Sequence, residues 1–528
     1  MSLPRVLAGR RRALVAQLVA NGLAQAGAAL GGARALHAAL ADGAPSPRLL
    51  AALAASGVAL AALRIHAAGA AERLGQDYVT RVRLRIFEAT ASRPARAGAS
   101  RAGVTLARVI TDLGSMRRWV SEGIARSLVA GVTLAAALGA LALFHPPAAL
   151  ALGAVALGCA ALAAALAPLL RGAVREARRR RGRLANNLGE KLLAAQTVQK
   201  LGRTERELAR VRTHSGWLRD ALVRRARAAE SIAALPDLAT PLALAAWLAL
   251  RGASHPGELA AGVLVLGVLG AALRDLARAL DARIAFEEGR RRIGLLLSGP
   301  RLAEKRRPRA LAGNGPLAVE FASVTVEGAL RDVELAVKPG ERVLVTGAAG
   351  AGKTTLLALA ARVLDPGAGQ VRLDGQPLRA LSLDALHEAV QLVSPELPLL
   401  RGSVAENVSY GAEGDDADWL ESVARACGLV DDVALPEGLA TQVEERGVNL
   451  PAGARARLAL ARALAMKPRL LLVDDPAFGS DPGARAALAR ALELLPMTVL
   501  CVGVAGSFAS ESWREWAIPE QRSGAPAP

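Results

Sequence analysis

The chain has 528 residues, 52% of them hydrophobic and only 21% charged, with a mean hydropathy of +0.29. That is too apolar for an ordinary soluble protein of this size and long enough for several domains. The formal charge is +19, but the basic residues stand in blocks between long Ala/Leu/Val/Gly runs and aromatics are only 3%. A nucleic-acid partner would need a continuous basic face and stacking platforms, so none is expected. Cys159, Cys427 and Cys501 are scattered and form neither a metal nor a disulfide spacing.

In chain order, six apolar stretches come first, at about 13–35, 47–68, 122–144, 147–170, 229–250 and 258–279. Each is near the ~20 residues that cross a bilayer as a helix. Ala148 to Leu170 carries no charge; the first two are Ala-rich and interrupted by Arg34, His37 and Arg64, so a soluble helical reading stays open for them. Arg10-Arg-Arg12 ahead of the first span leads into more spans and reads as retained sequence rather than a cleaved leader. The segments Arg73–Arg118 and Arg171–Arg227 are dense in Arg, whereas the loop at His145-Pro-Pro147 has none and the one near His255 has only Arg251. Basic segments stay cytoplasmic, so both termini are expected in the cytoplasm. The two basic segments read as helices continuing the spans, with Asp112–Trp119 and Asn187–Leu193 at helical periodicity. Arg126, Glu230 and Asp237 lie in or beside spans, where ionisable groups face a cavity or a partner, and Pro236 is expected to loosen the fifth span.

A stretch rich in Pro, Gly and charge, 299–316, then separates a membrane half from a soluble one. The expected organisation is a transmembrane domain over 1–298, this linker, a nucleotide-binding domain over 317–520 and a disordered tail over 521–528.

In the soluble half, Arg342-Val-Leu-Val-Thr346 reads as a strand, Gly347-Ala-Ala-Gly-Ala-Gly-Lys-Thr354 as a phosphate-binding loop, and Thr355–Ala361 as a helix. Gly347, Ala348, Gly350 and Gly352 let backbone N–H groups approach phosphate oxygens, aided by the helix N-terminus and continuing into Thr355. Lys353 is placed to reach the β/γ-phosphates, and Thr354 to supply a hydroxyl to Mg²⁺. Arg469-Leu-Leu-Leu-Val-Asp474 is an apolar strand ending in the carboxylate that positions Mg²⁺ in such folds. The cofactors expected are therefore ATP and Mg²⁺.

Taken in order, Glu445-Arg-Gly-Val-Asn-Leu450, Arg455–Leu464 and Val473-Asp-Asp-Pro476 resemble the ATP-binding cassette (ABC) transporters, specifically the exporter-type half-transporter. Arg108-Val-Ile-Thr-Asp112 and Glu190–Val198 look like that family's intracellular-loop helices, and Gly402–Asn407 like the segment that meets its membrane domain. The resemblance implies a six-helix membrane bundle followed by an α/β P-loop NTPase domain. It also implies that each ATP lies between one domain's phosphate loop and the other domain's signature.

Against that pattern the chain departs at five places. The L-S-G-G-Q signature reads Leu450-Pro-Ala-Gly-Ala454, so Pro451 removes a hydroxyl and an N–H, and only Leu450 and Gly453 keep their places. The glutamate expected after Asp474 is Asp475, a shorter and therefore weak candidate for the general base. The switch histidine position is Val504, the glutamine expected after Ser394 is Pro395, and no adenine-stacking aromatic stands near Glu327–Gly328. Binding groups survive better than hydrolytic ones, so hydrolysis by this chain alone is expected to be weak or absent.

The resulting expectation is a degenerate half of an exporter in a bacterial inner membrane, surrounded by lipid and moving a substrate that apolar spans do not identify. A heterodimer with an intact second half-transporter is favoured over a homodimer, which would repeat both defects at both sites. A membrane-anchored ATP-sensing regulatory subunit is the alternative. A soluble ABC-type ATPase acting on nucleic acid is disfavoured by the six spans.

Overall fold

The structure is a computed structural model describing residues 3–6, 8–9, 11–41, 46–92, 112–144, 146–251, 256–299, 302, 308–412, 416–506 and 512–519. Arg10, the Arg108–Thr111 run, the loops at His145 and His255, much of the linker and the tail 521–528 lie outside the described residues. The chain divides into two compact units, one of residues 1–91 and 100–299 and the other of residues 92–99 and 300–528.

In the first unit one helix covers most of each of the six apolar stretches. They are α1 (Arg11–Ala41), α2 (Pro47–Ala91), α3 (Ala125–Phe144), α4 (Pro146–Leu193), α6 (Leu235–Arg251) and α7 (Pro256–Leu297), with α5 (Thr204–Ala233) between the fourth and fifth. Four helical stretches among the described residues, Arg11–Ala39, Pro47–Ala91, Asp112–Gly139 and Ala149–Leu193, are long and apolar enough to cross a membrane. At 17 residues α6 is shorter than those four. The 48 residues of α4 span roughly 72 Å at 1.5 Å per residue, more than twice a hydrocarbon core of about 30 Å. Its basic second half therefore continues the helix past the apolar one.

The fifth apolar stretch is not one helix. Its first residues end α5, and the chain bends at Ala234 (φ −82°, ψ −11°) before α6 begins. Pro236 sits in the first turn of α6, where its missing N–H costs no intrahelical bond. The break falls two residues ahead of Pro236, where a proline ends the preceding helix. Asp237 in that turn accepts a 2.7 Å hydrogen bond from Arg274 Nη1 on α7, pairing two helices. Immediately before α3, residues Trp119–Ile124 form a π-helical turn. Trp119 stacks on Phe286 of α7 at 5.9 Å between ring centroids, fixing that turn against the neighbouring helix.

The second unit carries two main sheets. Strands β1 (Val319–Val326), β2 (Leu330–Val337), β4 (Ala368–Leu373) and β5 (Gln376–Pro377) form an antiparallel sheet in the order β2-β1-β4-β5. Along β2 buried and exposed residues alternate at one end, as one covered face requires. Strands β3 (Arg342–Thr346), β6 (Val390–Val393), β9 (Leu470–Val473), β10 (Thr498–Val502) and β11 (Arg514–Ala517) form a parallel sheet in the order β11-β3-β10-β9-β6. A two-stranded pair, β7 (Gly402–Ser403) and β8 (Gln442–Val443), completes the strands. In the parallel sheet the apolar runs are continuous because both faces are covered; all of Leu470 to Val473 is buried. Helices α8 (Lys353–Ala360), α9 (Val404–Ser409), α10 (Ala417–Ala426), α11 (Ala452–Ala465) and α12 (Pro482–Leu494) complete the elements used below. The β10 register against β3 and β9, Val499 opposite Arg342 and Leu471, brings the C-terminal ends of these strands to one edge. In open parallel sheets that edge is where ligands bind.

Candidate functional site

At that edge β3 ends at Thr346 and the chain enters the glycine-rich loop. Gly347, Gly350 and Gly352 have φ of 142°, 83° and 99°, a region where side chains are disfavoured. At Gly352 an added Cβ would lie 2.5 Å from the Ala329 carbonyl oxygen, so the close approach of the β1–β2 turn also demands glycine. Helix α8 starts on the next residue, and its free N–H groups face the loop. Lys353 Nζ donates to the carbonyl oxygens of Gly347 (2.7 Å) and Ala348 (2.9 Å), which holds its ammonium across the loop. Thr355 is buried behind it.

Asp474 follows β9, and its N–H donates to the Val393 carbonyl at 2.8 Å. Its carboxylate has the Thr354 side chain as a polar neighbour. Burial pushes the Asp474 carboxyl above its ordinary range; Glu396 and Asp475 push the same way, while the Thr354 side chain and the Lys353 ammonium oppose it. A half-buried carboxylate in surplus negative charge beside a hydroxyl is a hard-oxygen pair suited to a divalent cation. Thr354 and Asp474 therefore fit Mg²⁺ by the chemistry of their donors. Glu396, beside Pro395, is a neighbour of this pair that the sequence motifs did not bring out; its only signal was an acidic residue following Ser394-Pro395.

The residues at the departure positions are arranged differently. One carboxylate oxygen of Asp475 accepts from the Ala477 N–H at 2.9 Å and is thereby turned into its own following turn. The Ser394 hydroxyl accepts from the Glu396 N–H at 3.2 Å, bridging over Pro395. Val504, past β10, is 75% exposed and offers no polar atom. Pro451 precedes α11 without any side-chain cap, so the first N–H groups of that helix lack the hydroxyl acceptor a serine would give. Leu450 is buried, 4% exposed. At Gly453 an added Cβ would come within 2.6 Å of an Asp481 carboxylate oxygen, and the same Asp481 caps α12 by accepting from Ala484 N–H at 2.7 Å. Gly453 is thus held as glycine by its own domain.

A cavity of about 810 Å³ brings Pro395, Ala452, Gly453, Asp475 and Asp481 together. None of residues 347–355 lines it. The phosphate loop and the signature segment therefore open separately within this chain. No group of three or more His, Cys, Asp or Glu suited to a metal occurs among the described residues.

Comparison with known proteins agrees with this architecture. The family model of the ABC transporter transmembrane region matches residues 16–273, and that of the ABC transporter domain matches residues 330–478. A multidrug efflux ATP-binding/permease protein of Mycobacterium tuberculosis is 35% identical over 298 residues, 54% of this chain and 25% of that protein. An ATP-dependent lipid A-core flippase of Chromobacterium violaceum is 31% identical over 340 residues, 62% of this chain and 58% of that protein. The matched stretches thus span less than two thirds of either relative. The solved structure of a bacterial Atm1-family ABC exporter with ATP bound superposes with a TM-score of 0.85 at 22% identity, covering 97% of this chain and 93% of that one. At that identity the likeness is one of fold.

Proposed function

The chain belongs to the ABC transporters, with a helical transmembrane region followed by an ATP-binding domain, and we propose that it is the degenerate half of a heterodimeric exporter in a bacterial inner membrane. The observation that carries this reading is the split between two groups of residues. Lys353 is tied across the glycine-rich loop, and it and Thr354 both act on the Asp474 carboxyl at the sheet edge. Asp475 is turned into its own backbone, Val504 is apolar and Pro451 leaves α11 uncapped.

In this reading the Lys353 ammonium leaves the Gly347 and Ala348 carbonyls to meet phosphate oxygens, and the glycine-rich loop wraps the remainder. Thr354 and Asp474 would hold Mg²⁺, which would supply charge neutralisation of the β/γ-phosphates. Glu396 adds negative charge beside Asp474. Asp475 is the only acidic residue directly after Asp474, and with its reach shortened it abstracts a proton from water poorly. The partner's signature would close over this ATP, while Leu450 and Gly453 would close over the partner's. A homodimer would set the altered signature against the altered base twice, which favours a partner with intact motifs. Relatives named for multidrug efflux and lipid A-core flipping favour outward movement of cargo as the activity. The domains assigned to these tasks are 1–298 and 317–520.

Chemical cross-linking in native membranes, followed by mass spectrometry of the tagged chain, tests the pairing. A cross-linked second half-transporter with an intact signature, glutamate and histidine is expected. Self-cross-linked chain alone, without such a partner, would leave the ATP-sensing subunit or the homodimer in its place.

A further inference from the structure

Resting on the nucleotide-binding reading above, we infer that the site on Gly347–Thr354 selects the Mg²⁺–triphosphate group and not the base. Nucleoside triphosphates of any base, and inorganic triphosphate itself, then occupy it with similar affinity. The observation that carries this is the hairpin packed against the glycine-rich loop. Val326 pairs with Leu330, so the turn between β1 and β2 consists of Glu327, Gly328 and Ala329 alone. The Ala329 N–H closes it by donating to the Val326 carbonyl at 3.0 Å. Val326 and Leu330 are buried in one core with Leu356 and Leu357 of α8, which draws the turn down onto the loop. The Ala329 carbonyl oxygen and the Leu330 side chain are the atoms that an added Cβ at Gly352 would meet, both at 2.5 Å.

A turn this short and this close offers a nucleobase no flat face to lie on. Glu327 carries a carboxylate, Gly328 no side chain and Ala329 a methyl. Gly328 has a φ of 70°, a conformation that disfavours any side chain, an aromatic one included. Glu327 is exposed, so a hydrogen bond from its carboxylate to an exocyclic amine of a base competes with water. Among the described residues of this unit the aromatic rings are committed elsewhere. Phe321 and Phe478 are fully buried. Trp419 and Trp513 pack on one core and Trp516 on the other. Tyr410 directly follows α9, near Arg462 of α11. Phe508 lies outside the described residues.

Stacking on an aromatic ring is worth roughly 5- to 150-fold in affinity per base in proteins that bind single-stranded nucleic acid. Without it, the groups left to bind are those around the phosphate loop. They are the backbone N–H groups at the start of α8, the Lys353 ammonium, and Thr354 with Asp474 for Mg²⁺. All of them act on phosphate or on the cation, and none distinguishes one base from another. Such a site stays filled by whichever triphosphate is abundant, which suits a nucleotide that is held and not turned over.

The test is isothermal titration calorimetry on the full chain in detergent, without a partner, using Mg-ATP, Mg-GTP, Mg-UTP and Mg-tripolyphosphate. All four are expected to bind within about fivefold of one another, the lower bound of what a stacked base contributes. UTP is the probe for Glu327, because uracil has no exocyclic amine to donate to its carboxylate. K353A should weaken all four alike, and E327Q should leave their ratios unchanged. Any wider spread in the wild type, such as ATP well ahead of UTP or tripolyphosphate, would overturn the inference while leaving nucleotide binding at this loop in place. So would an unequal loss in K353A, or ratios that shift in E327Q. Binding of none of the four would remove the loop from nucleotide binding, and the inference with it.

Discussion

The Thr354 side chain, in the first turn of α8, stands by the Asp474 carboxylate at the end of β9 and counters the rise that burial imposes on its pKa. Two strands that are not adjacent, β3 and β9, thus bring their C-terminal residues together across β10 at the sheet edge where the glycine-rich loop opens. In the proposed reading the pair belongs to the nucleotide-holding group, together with Lys353.

Lys353→Ala removes the ammonium that bridges the loop carbonyls. Charge-assisted hydrogen bonds are worth about 1.5–3 kcal/mol, so Mg-ATP affinity should fall by about tenfold or more. Isothermal titration calorimetry on the detergent-purified chain checks this; equal affinities in wild type and variant would remove the loop from nucleotide binding.

Gly453→Ala should destabilise the nucleotide-binding domain by about 1–3 kcal/mol, the usual cost of forcing an extra methyl into filled space. The methyl would run into Asp481, whose carboxylate caps α12. Urea unfolding should show a lower midpoint with an unchanged slope. No shift in midpoint would mean that Asp481 moves aside freely.

The topology makes a separate prediction. A cysteine placed at position 146 should react with a membrane-impermeant thiol reagent applied from the periplasm, and one at position 180 should not. The reverse pattern would overturn the orientation drawn from the Arg-dense segments.

Restoring lost groups should act on two different ATPs. In complex with a competent partner, Asp475→Glu with Val504→His should raise turnover at the site built on Gly347–Thr354. Pro451→Ser with Ala452→Gly and Ala454→Gln should raise it at the partner's site. If the sites fire independently, the barrier changes add; shared closure makes them non-additive. ATPase assays of both sets and their combination measure this, and no gain from either would count against the assigned roles.

How far these features were legible in the sequence depends on how local they are. Strand β3, the glycine-rich loop and α8 are contiguous in the chain, and β3 falls on the residues expected for it, Arg342–Thr346. Six helices over six apolar runs were readable because composition alone decides that a run is apolar. The break at Ala234 was legible only in part, since Pro236 marks a helix end nearby but not the residue at which it falls. The antiparallel sheet was not itemised either, because its pairings, such as Val319 with Leu373, join distant segments. Around the site, Asp474 was legible as a carboxylate at a strand end. The aim of Asp475 is set by the turn at Pro476 and Ala477, and the proximity of Glu396 arises from β6 lying beside β9. Neither has a signature in one dimension.

The most direct test of the central claim is the Mg-ATP hydrolysis rate of the purified wild-type chain by itself, with Lys353→Ala prepared identically as the background. A chain that retains Lys353, Thr354 and Asp474 but carries Asp475, Val504 and Pro451 should bind ATP and hydrolyse it no faster than that background. Robust hydrolysis by the wild type, lost in Lys353→Ala, would contradict the degenerate-half reading and make the homodimer the working assembly.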